Sequence, residues 1–312
     1  MRLVRHTEEM PFSSLANGSV ITIGAYDGLH LGHQALLNRV LEEARNRKVP
    51  AVVMSFEPTP REFFSVGEPP ARLMRFREKF TALEDMGIDI FFCPRFSGRM
   101  QNISAADFIR QIVVHGLNAS HIVIGDDFRF ARKREGDVNL LRRVARALDF
   151  TVEDVESVVV DGTRVSSTAI RDALAVGDDA RAAALLGRPY SMSGRVVPGQ
   201  MLGRKLGYPT ANVDLRRRQS AVMGIYAVRV RGLGDVRDGV ASVGVRPTFG
   251  GGRPLLEVHL FDFDDDIYGR YIDVEFIERL RTEQKFDGPE ALIAQMNIDA
   301  DNARSALRRD AA

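Results

Sequence analysis

The segment VITIGAYDGLHLGHQALLNRVLEEARNR, residues 20–47, changes from a strand pattern to a helix pattern across a glycine-rich turn. Its first four residues are all β-branched, which is typical of a strand. In its second half, Leu37, Val40, Leu41 and Ala44 recur at helical spacing and form one apolar stripe. The segment therefore predicts a buried strand that passes through a tight turn into an amphipathic helix.

The same alternation continues along the first half of the chain. Apolar runs predict further strands at residues 51–56, 88–93 and 121–127, and amphipathic stretches predict helices at 77–87, 104–116 and 139–150. Strands that are apolar on both faces indicate a parallel sheet covered by helices, in which ligands bind beyond the carboxyl ends of the strands. We expect the turn at 24–33 and the segment GDDFRF, 125–130, to lie at that edge.

The pattern changes near Gly187, where the helical periodicity stops and Pro189 follows. Short strands are predicted from there on, and one amphipathic helix is predicted from about residue 289 to residue 308. This half predicts a small antiparallel β-barrel with a C-terminal helix. We therefore divide the chain into domains 1–186 and 187–312. The barrel strands are predicted at residues 191–197, 224–232, 239–245, 255–262 and 271–280.

The amino-acid composition indicates which kinds of partner and which compartment suit this protein. The 312 residues are 45% hydrophobic and 27% charged, as in globular proteins, and 43 basic against 42 acidic residues leave a net charge of +1. That balance favours neither a nucleic-acid nor a membrane partner. The single cysteine, Cys93, fits a reducing compartment, and no apolar run has membrane-spanning length. We expect a cytoplasmic protein.

His30 and His33 stand at the predicted helix start, where unpaired N–H groups and the helix dipole favour an anion. Two imidazoles could donate hydrogen bonds to phosphate oxygens there, and Gly28 and Gly32 would let a ligand approach the backbone. Two alternatives remain open. The histidines could share a metal, although no acidic or thiol partner follows at suitable spacing, or one could be a core residue.

A second anion site is predicted at VSSTAIRDAL, residues 165–174. Ser166, Ser167 and Thr168 offer hydroxyls and N–H groups at a helix start, and Arg171 follows one turn later on the same face as Thr168. An ordinary helix cap with an exposed arginine is the alternative. Two such sites in one α/β domain favour a nucleotide site.

Two further patterns lie in the barrel half. Residues 194–212 read GRVVPGQMLGRKLGYPTAN, a glycine-rich loop without a P-loop pattern that ends with Thr210 and Asn212, whose oxygens suit Mg²⁺. The alternative is a turn with a capping asparagine. Glu257, in the strand LLEVHLFD, is either a functional carboxylate or an exposed strand residue, and the pattern leaves both open.

These motifs together resemble a known family. GAYDGLHLGH, SFEPTP, GDDFRF and VSSTAIR resemble the Rossmann-like nucleotidyltransferase domain of bifunctional bacterial riboflavin kinase/FAD synthetases, which adenylylates FMN. The segments GRVVPGQMLGRKLGYPTANV, GIYAV, LEVHLFDF and RTEQKF resemble the riboflavin kinase barrel of the same family. The resemblance covers nearly the whole chain.

For the first domain, the resemblance implies that His30 and His33 hold the ATP phosphates and the departing pyrophosphate. It implies that Ser167, Thr168 and Arg171 grip the β- and γ-phosphates from the other side. The implied nucleotide-binding set also contains Gly24, Asp27, Gly28, Gly32 and Asp127, and the implied walls of the flavin and adenine pockets are Phe56, Pro58 and Phe128.

For the barrel, the resemblance implies that Thr210 and Asn212 bind Mg-ATP and that Glu257 accepts the proton of the riboflavin 5′-hydroxyl. A carboxylate base suits this transfer because an alcohol, unlike a phosphate, must lose a proton. Arg281 and Phe286 are implied to close over the flavin. The implied nucleotide loop contains Gly199, Gly203 and Lys205.

The implied activities are the phosphorylation of riboflavin and the adenylylation of FMN, with ATP, riboflavin, FMN and FAD as partners and Mg²⁺ as cofactor. The oligomeric state stays open, with a weak homo-oligomer as one expectation. The chain departs from the family in having Ala25-Tyr26 for Asn-Phe, and Ala131 and Lys133 where glycines are common. Alternatives are a nucleotidyltransferase with another acceptor and an RNA-binding protein, although the latter should show a basic stripe with aromatic residues.

Overall fold

The protein is described by a computed structural model that covers residues 1–199, 203, 207–245 and 252–310. The chain forms two compact units: Met1–Pro70 with Met74–Val165, and Ala71–Leu73 with Ser166–Ala312. This division by contacts groups the helices between residues 166 and 186 with the barrel. The domain boundary at residue 187 stays a prediction.

The first unit contains the six-stranded sheet. Its strand order is β1-β4-β3-β2-β5-β8, and every neighbouring pair is parallel. The six strands of this sheet are β1 (Arg2–Val4), β2 (Ser19–Ile23), β3 (Ala51–Met54), β4 (Ile90–Phe92), β5 (Ala119–Gly125) and β8 (Thr151–Val155). Two separate antiparallel pairs of short strands are β6 (Arg129–Phe130) with β7 (Gly136–Asp137), and β9 (Val159–Val160) with β10 (Thr163–Arg164).

Helices cover this sheet. They are α1 (Leu31–Arg47), α2 (Pro60–Phe64), α3 (Phe76–Asp85), α4 (Gly98–Gln101), α5 (Ala105–Asp107), which continues as a π-helix over Phe108–Val114, and α6 (Val138–Ala145), with 3₁₀ turns at Thr7–Glu9, Arg132–Arg134 and Arg146–Leu148.

Side chains of the central strand β2 alternate between two apolar cores. Val20 packs with Leu37 and Val40 of α1, whereas Ile21 packs with Ile112 and Leu141 on the opposite face. The predicted parallel sheet with helices on both faces is therefore confirmed. The edge strands β1 and β8 were not predicted, because short and partly exposed edge strands lack the two-sided apolar pattern of the central ones.

The second unit is a closed antiparallel barrel with three helices among its described residues. The barrel order is β11-β12-β15-β14-β13-β16. Gly187, with φ +75°, ends the second helix as the periodicity predicts. The elements are α7 (Ser167–Val176), α8 (Asp179–Leu186), β11 (Tyr190–Val197), β12 (Ala211–Asp214), β13 (Gly224–Arg231), β14 (Arg237–Val245), β15 (Pro254–Leu260), β16 (Tyr271–Arg281) and α9 (Pro289–Asp310).

The barrel has an inner core and a second apolar layer outside it. Leu256 and Val258 of β15 are fully buried inside the barrel. On the outer face, Ala303 and Leu307 of α9 pack with Phe261, so the C-terminal helix covers the wall that contains β15. The predicted barrel with a terminal helix is confirmed. No helix within the described residues has the length and apolar character needed to cross a membrane.

Candidate active sites

The turn at residues 24–33 lies at the carboxyl end of β2, the strand between β3 and β5. Chain connections diverge to the two sides of β2, which makes this edge the expected place for a ligand. Gly28 has φ +92°, and Tyr26 is buried with φ +49°. The Tyr26 hydroxyl shares a 2.6 Å hydrogen bond with Thr22 Oγ1, and its ring packs against Gly24, where a Cβ would lie 3.0 Å away. Tyr26 is therefore part of the interior packing of the turn.

His30 and His33 lie together at the start of α1. Their rings stack with centroids 3.6 Å apart, and His30 Nδ1 accepts a hydrogen bond from the His33 backbone N–H at 3.3 Å. Because Nδ1 accepts, the proton of a neutral His30 lies on Nε2. A Cβ at Gly32 would lie 3.3 Å from His30 Nδ1, so the turn depends on the small residue there.

The surroundings of His33 are positively charged. Burial, followed by the nearby His30 and Lys79, lowers the pKa of His33 well below its usual 6.5. Buried Lys79 donates from Nζ to the Ala25 carbonyl oxygen in the same turn. His33 is therefore a neutral imidazole near pH 7, close to the buried ammonium group of Lys79.

Asp27 has a structural contact in this turn. Its Oδ1 accepts a hydrogen bond of 2.9 Å from the Met74 backbone N–H and so ties the turn to the segment that precedes α3. Among the predicted nucleotide-binding residues of the turn, Gly24, Gly28 and Gly32 shape the backbone, and Asp27 anchors it.

The other predicted residues of the first unit follow neighbouring strands. Phe56 and Pro58 come after β3, and Asp127 and Phe128 come after β5, so all four are at the same sheet edge as the histidines. The exposed Asp127 accepts a 2.7 Å hydrogen bond from Arg164. Phe56 meets Phe96 edge to face at 5.4 Å, and Phe128 stacks on Phe130 at 5.5 Å.

The loop after Phe130 has backbone angles that favour glycine. Ala131 has φ +64° and ψ −173°, and Lys133 has φ +50°. These are the two positions where the resemblance noted above led us to expect glycine. A non-glycine residue in such a conformation costs about 1–3 kcal/mol, so the loop carries backbone strain at these two residues.

The second predicted anion site is the start of α7, in the second unit. Ser166 caps the helix by accepting from the Ala169 N–H at 3.1 Å, which leaves Ser167 and Thr168 in the first turn. Arg171 donates from Nε to the Ala71 carbonyl oxygen at 2.6 Å and from a terminal nitrogen to the Ser167 carbonyl oxygen at 3.1 Å. The guanidinium is therefore held beside the helix N-terminus.

A cavity of about 350 Å³ lies on the outer face of the barrel, against α9. It brings together most of the residues predicted for the barrel site. Of the cavity's lining, Glu257 and His259 come from β15, and Leu292 and Met296 come from α9. The predicted residues that line it are Gly203, Thr210, Glu257, Arg281 and Phe286.

Strand register places Asn212 beside this cavity. Asn212 of β12 pairs directly with Glu257 of β15, and directly paired residues share one face of a sheet. Asn212 therefore lies in a strand, whereas the alternative interpretation of PTAN placed it in a turn as a capping residue. Glu257 faces the side covered by α9 rather than the barrel interior, so it is neither a core residue nor a freely solvated one.

Glycines allow the nucleotide loop to approach these side chains. A Cβ at Gly199 would lie 2.1 Å from Asn212 Nδ2, and one at Gly203 would lie 3.4 Å from Thr210 Oγ1. The hydroxyl of Thr210 and the amide oxygen of Asn212 are hard donors, which fit Mg²⁺. Lys205 lies outside the described residues. The described residues hold no cluster of three His, Cys, Asp or Glu side chains suited to a metal.

Sequence reasoning missed the contribution of α9 to the cavity. Asp299 is buried and receives a forked pair of hydrogen bonds from Arg281, with Nε 2.9 Å from Oδ1 and the terminal nitrogen 2.7 Å from Oδ2. Gln295 donates to the same carboxylate at 2.9 Å. The Arg281 guanidinium also lies 5.7 Å from the centre of the Phe286 ring. The signal in the sequence was Asp299 itself, because an acidic residue in the buried stripe of a helix usually has a charged partner.

The comparisons with known proteins agree with this arrangement. The FAD synthetase family matches residues 13–169, and the riboflavin kinase family matches residues 186–307. Two relatives are called bifunctional riboflavin kinase/FMN adenylyltransferase. The Escherichia coli K12 protein is 45% identical over 305 residues, 97% of each chain, and the Pseudomonas fluorescens protein is 47% identical over 289 residues, 92% of this chain and 93% of the relative.

A solved structure is similar over the same length. It is described as a macrolide-efflux protein from Streptococcus pneumoniae, is 30% identical and has a TM-score of 0.83, with 97% of this chain and 98% of that chain covered. It therefore shares the fold of the whole chain. With both family matches in order along the sequence and close relatives over nearly its full length, this chain belongs to the bifunctional riboflavin kinase/FMN adenylyltransferase family.

Proposed function

We propose that this protein makes FAD from riboflavin in two ATP-dependent steps in the cytoplasm. Domain 187–312 phosphorylates riboflavin to FMN, and domain 1–186 adenylylates FMN to FAD. The observation that carries the proposal is the cavity under α9, where Glu257, Thr210, Arg281 and Phe286 line one space and Asn212 pairs with Glu257.

In the kinase step, the Glu257 carboxylate accepts the proton of the riboflavin 5′-hydroxyl. The hydroxyl oxygen then bonds to the γ-phosphorus of ATP, and ADP leaves. Thr210 and Asn212 would hold Mg²⁺, which neutralises phosphate charge when it is bound. The Arg281 fork is fixed by Asp299, so Arg281 and Phe286 provide a preorganised wall for the flavin.

In the adenylylation step, a phosphate oxygen of FMN attacks the α-phosphorus of ATP, and pyrophosphate leaves. Phosphate is already a nucleophile at neutral pH, so positioning and charge neutralisation account for the catalysis. His30 donates from Nε2 to a phosphate oxygen, because its Nδ1 is occupied as an acceptor. The start of α1, the buried Lys79 and the α7 residues Ser167, Thr168 and Arg171 bind the remaining phosphate charge.

The remaining assignments follow the same chemistry. Gly24, Gly28 and Gly32 let the phosphates approach the backbone, and Asp127 either contacts the ATP phosphates or would hold a metal ion that neutralises their charge. Phe56, Pro58 and Phe128 line the flavin and adenine pockets. Gly199, Gly203 and Lys205 form the nucleotide loop of the kinase.

A time course tests the proposal. Purified protein with riboflavin, ATP and Mg²⁺ should produce FMN first and FAD later, as resolved by chromatography. The double variant His30→Ala/His33→Ala should accumulate FMN and make little FAD. Wild-type protein that forms neither product would refute the function, and continued FAD synthesis by the double variant would refute the histidine roles.

A further inference from the structure

Residues 71–73 form a short strap that packs with the barrel unit although they precede α3 in sequence. Two arginines hold its three carbonyl oxygens. Arg171 Nε donates to the Ala71 oxygen at 2.6 Å, and Arg217 donates to the Arg72 oxygen at 2.6 Å and to the Leu73 oxygen at 3.5 Å. The strap is therefore a shared acceptor for one arginine from α7 and one from the barrel.

The Arg217 guanidinium is anchored to the barrel. The residue is only 5% exposed, and its terminal nitrogen also lies 3.3 Å from the Tyr190 hydroxyl. Tyr190 begins β11 and stacks on Phe276 of β16 with ring centres 5.9 Å apart. A buried guanidinium group needs hydrogen-bond acceptors that are held in place, and the carbonyl oxygens of Arg72 and Leu73 are such acceptors.

Arg171 contacts the strap at its first residue, Ala71. Its guanidinium is planar, so a hydrogen bond at Nε fixes the plane in which the remaining N–H groups point. The Ala71 carbonyl makes that bond, while the Ser167 carbonyl accepts from a terminal nitrogen. The direction of the Arg171 fork therefore depends on where the strap is held.

We propose that Arg217 is a positioning residue for FMN adenylylation. It holds the strap so that the Ala71 carbonyl orients Arg171 toward the ATP phosphates. This inference rests on the proposed function, in which Arg171 binds those phosphates. It links a residue of the kinase barrel to the other reaction without placing that residue at either substrate.

The test compares Arg217→Ala with Arg216→Ala. Arg216 is the neighbouring arginine, has an 81% exposed side chain and pairs with Asp214 at 3.1 Å, so it is a matched surface control. In Arg217→Ala we expect the KM for ATP in FMN adenylylation to rise about tenfold, because a charged hydrogen bond to phosphate is weakened. The kinetics of riboflavin phosphorylation should change less than about twofold, and Arg216→Ala should match the wild type in both reactions.

A double-mutant cycle separates positioning from a general structural role. In the Arg171→Ala background, Arg217→Ala should add less than about a twofold change in the KM for ATP, because its effect passes through Arg171. Arg217→Lys, which keeps the charge and a donor, should recover part of the loss. Independent, multiplicative effects of the two alanine changes would overturn the proposal.

The remaining outcomes are also decisive. Loss of both reactions in Arg217→Ala and Arg217→Lys would assign Arg217 a role in folding and overturn the positioning role. An Arg217→Ala enzyme that adenylylates FMN like the wild type would overturn it as well and leave the proposed function intact. Wild-type protein that converts no FMN to FAD would instead refute the proposed function on which the inference rests.

Discussion

Burial favours the uncharged form of the His33 imidazole. The pKa of His33 lies well below 6.5 because the ring is desolvated and faces His30 and Lys79. Near neutral pH the imidazole is therefore uncharged in the free protein. In the proposed adenylylation site, His33 therefore adds no positive charge of its own near neutral pH.

This lowered pKa predicts a pH dependence of stability. Below pH 6.5 the unfolded chain protonates His33 while the folded chain does not, so the free energy of unfolding decreases as the pH falls toward the folded pKa. In His33→Asn, the decrease between pH 6.5 and pH 5 should be smaller by up to about 1 kcal/mol per pH unit. Urea unfolding followed by circular dichroism measures it, since the chain has no tryptophan.

The exposed His115 provides the control for that experiment. His115→Asn makes the same exchange at an exposed position, and its free energy of unfolding at neutral pH should stay within about 0.5 kcal/mol of the wild type. If His33→Asn kept the wild-type slope of unfolding free energy against pH, the folded and unfolded proteins would protonate His33 alike, and the burial argument would be wrong.

The proposed role of Glu257 predicts that its substitution impairs riboflavin phosphorylation but not FMN adenylylation. Glu257→Gln keeps the shape of the side chain but removes the proposed proton acceptor, so the kcat for riboflavin phosphorylation should fall about 10²- to 10⁴-fold. Conversion of FMN to FAD by the same variant should stay within about twofold of the wild type, as measured by chromatography with FMN supplied. Full kinase activity in this variant would exclude Glu257 as the base.

At the scale of elements, α9 converts the outer wall of the barrel into a cavity. Its residues Ala303 and Leu307 pack on the wall through apolar contacts, and Asp299 forms the buried ion pair with Arg281. The side chains of Asp299 and Arg281 are 6% and 19% exposed, so the pair is shielded from water. The helix and the cavity wall are thereby joined at a residue that lines the site.

Removing one partner of this pair should be costly. Asp299→Ala leaves the Arg281 charge buried without its carboxylate, so the free energy of unfolding should fall by about 3 kcal/mol, and the KM for riboflavin should rise as Arg281 loses its fixed direction. Glu278→Ala, which removes the exposed pair between Glu278 and Arg309, should cost less than about 1 kcal/mol. Urea unfolding checks the first effect and initial rates check the second. Equal losses in the two variants would contradict the burial argument.

At the scale of the whole molecule, the two proposed reactions use different residues in one chain. A mixture of Glu257→Gln and His30→Ala/His33→Ala proteins should therefore make FAD from riboflavin, because FMN released by one protein can be used by the other. FAD should appear after a lag that shortens as more of the kinase-competent variant is added. A mixture that makes FMN but no FAD, although Glu257→Gln converts added FMN, would show that FMN does not pass between molecules.

Sequence alone determined the features that depend on near neighbours in the chain. β-Branched runs and helical spacing predicted the central strands β2, β3 and β5, the turn that follows β2, and the end of α8 at Gly187. These signals are local, because side-chain alternation and backbone preference act over a few residues. The edge strands gave weaker signals, since only a part of their surface is buried.

Tertiary structure decided everything that depends on segments far apart in the chain. Pairing of Asn212 with Glu257 placed the carboxylate on the outer barrel face, and α9 then enclosed it. The contact between Arg217 and Arg72 spans 145 positions, so no local pattern could predict that a barrel arginine holds a strap from the first half of the sequence. Burial and strand register arise only when distant segments pack together, and these two quantities decide which charged side chains form a site.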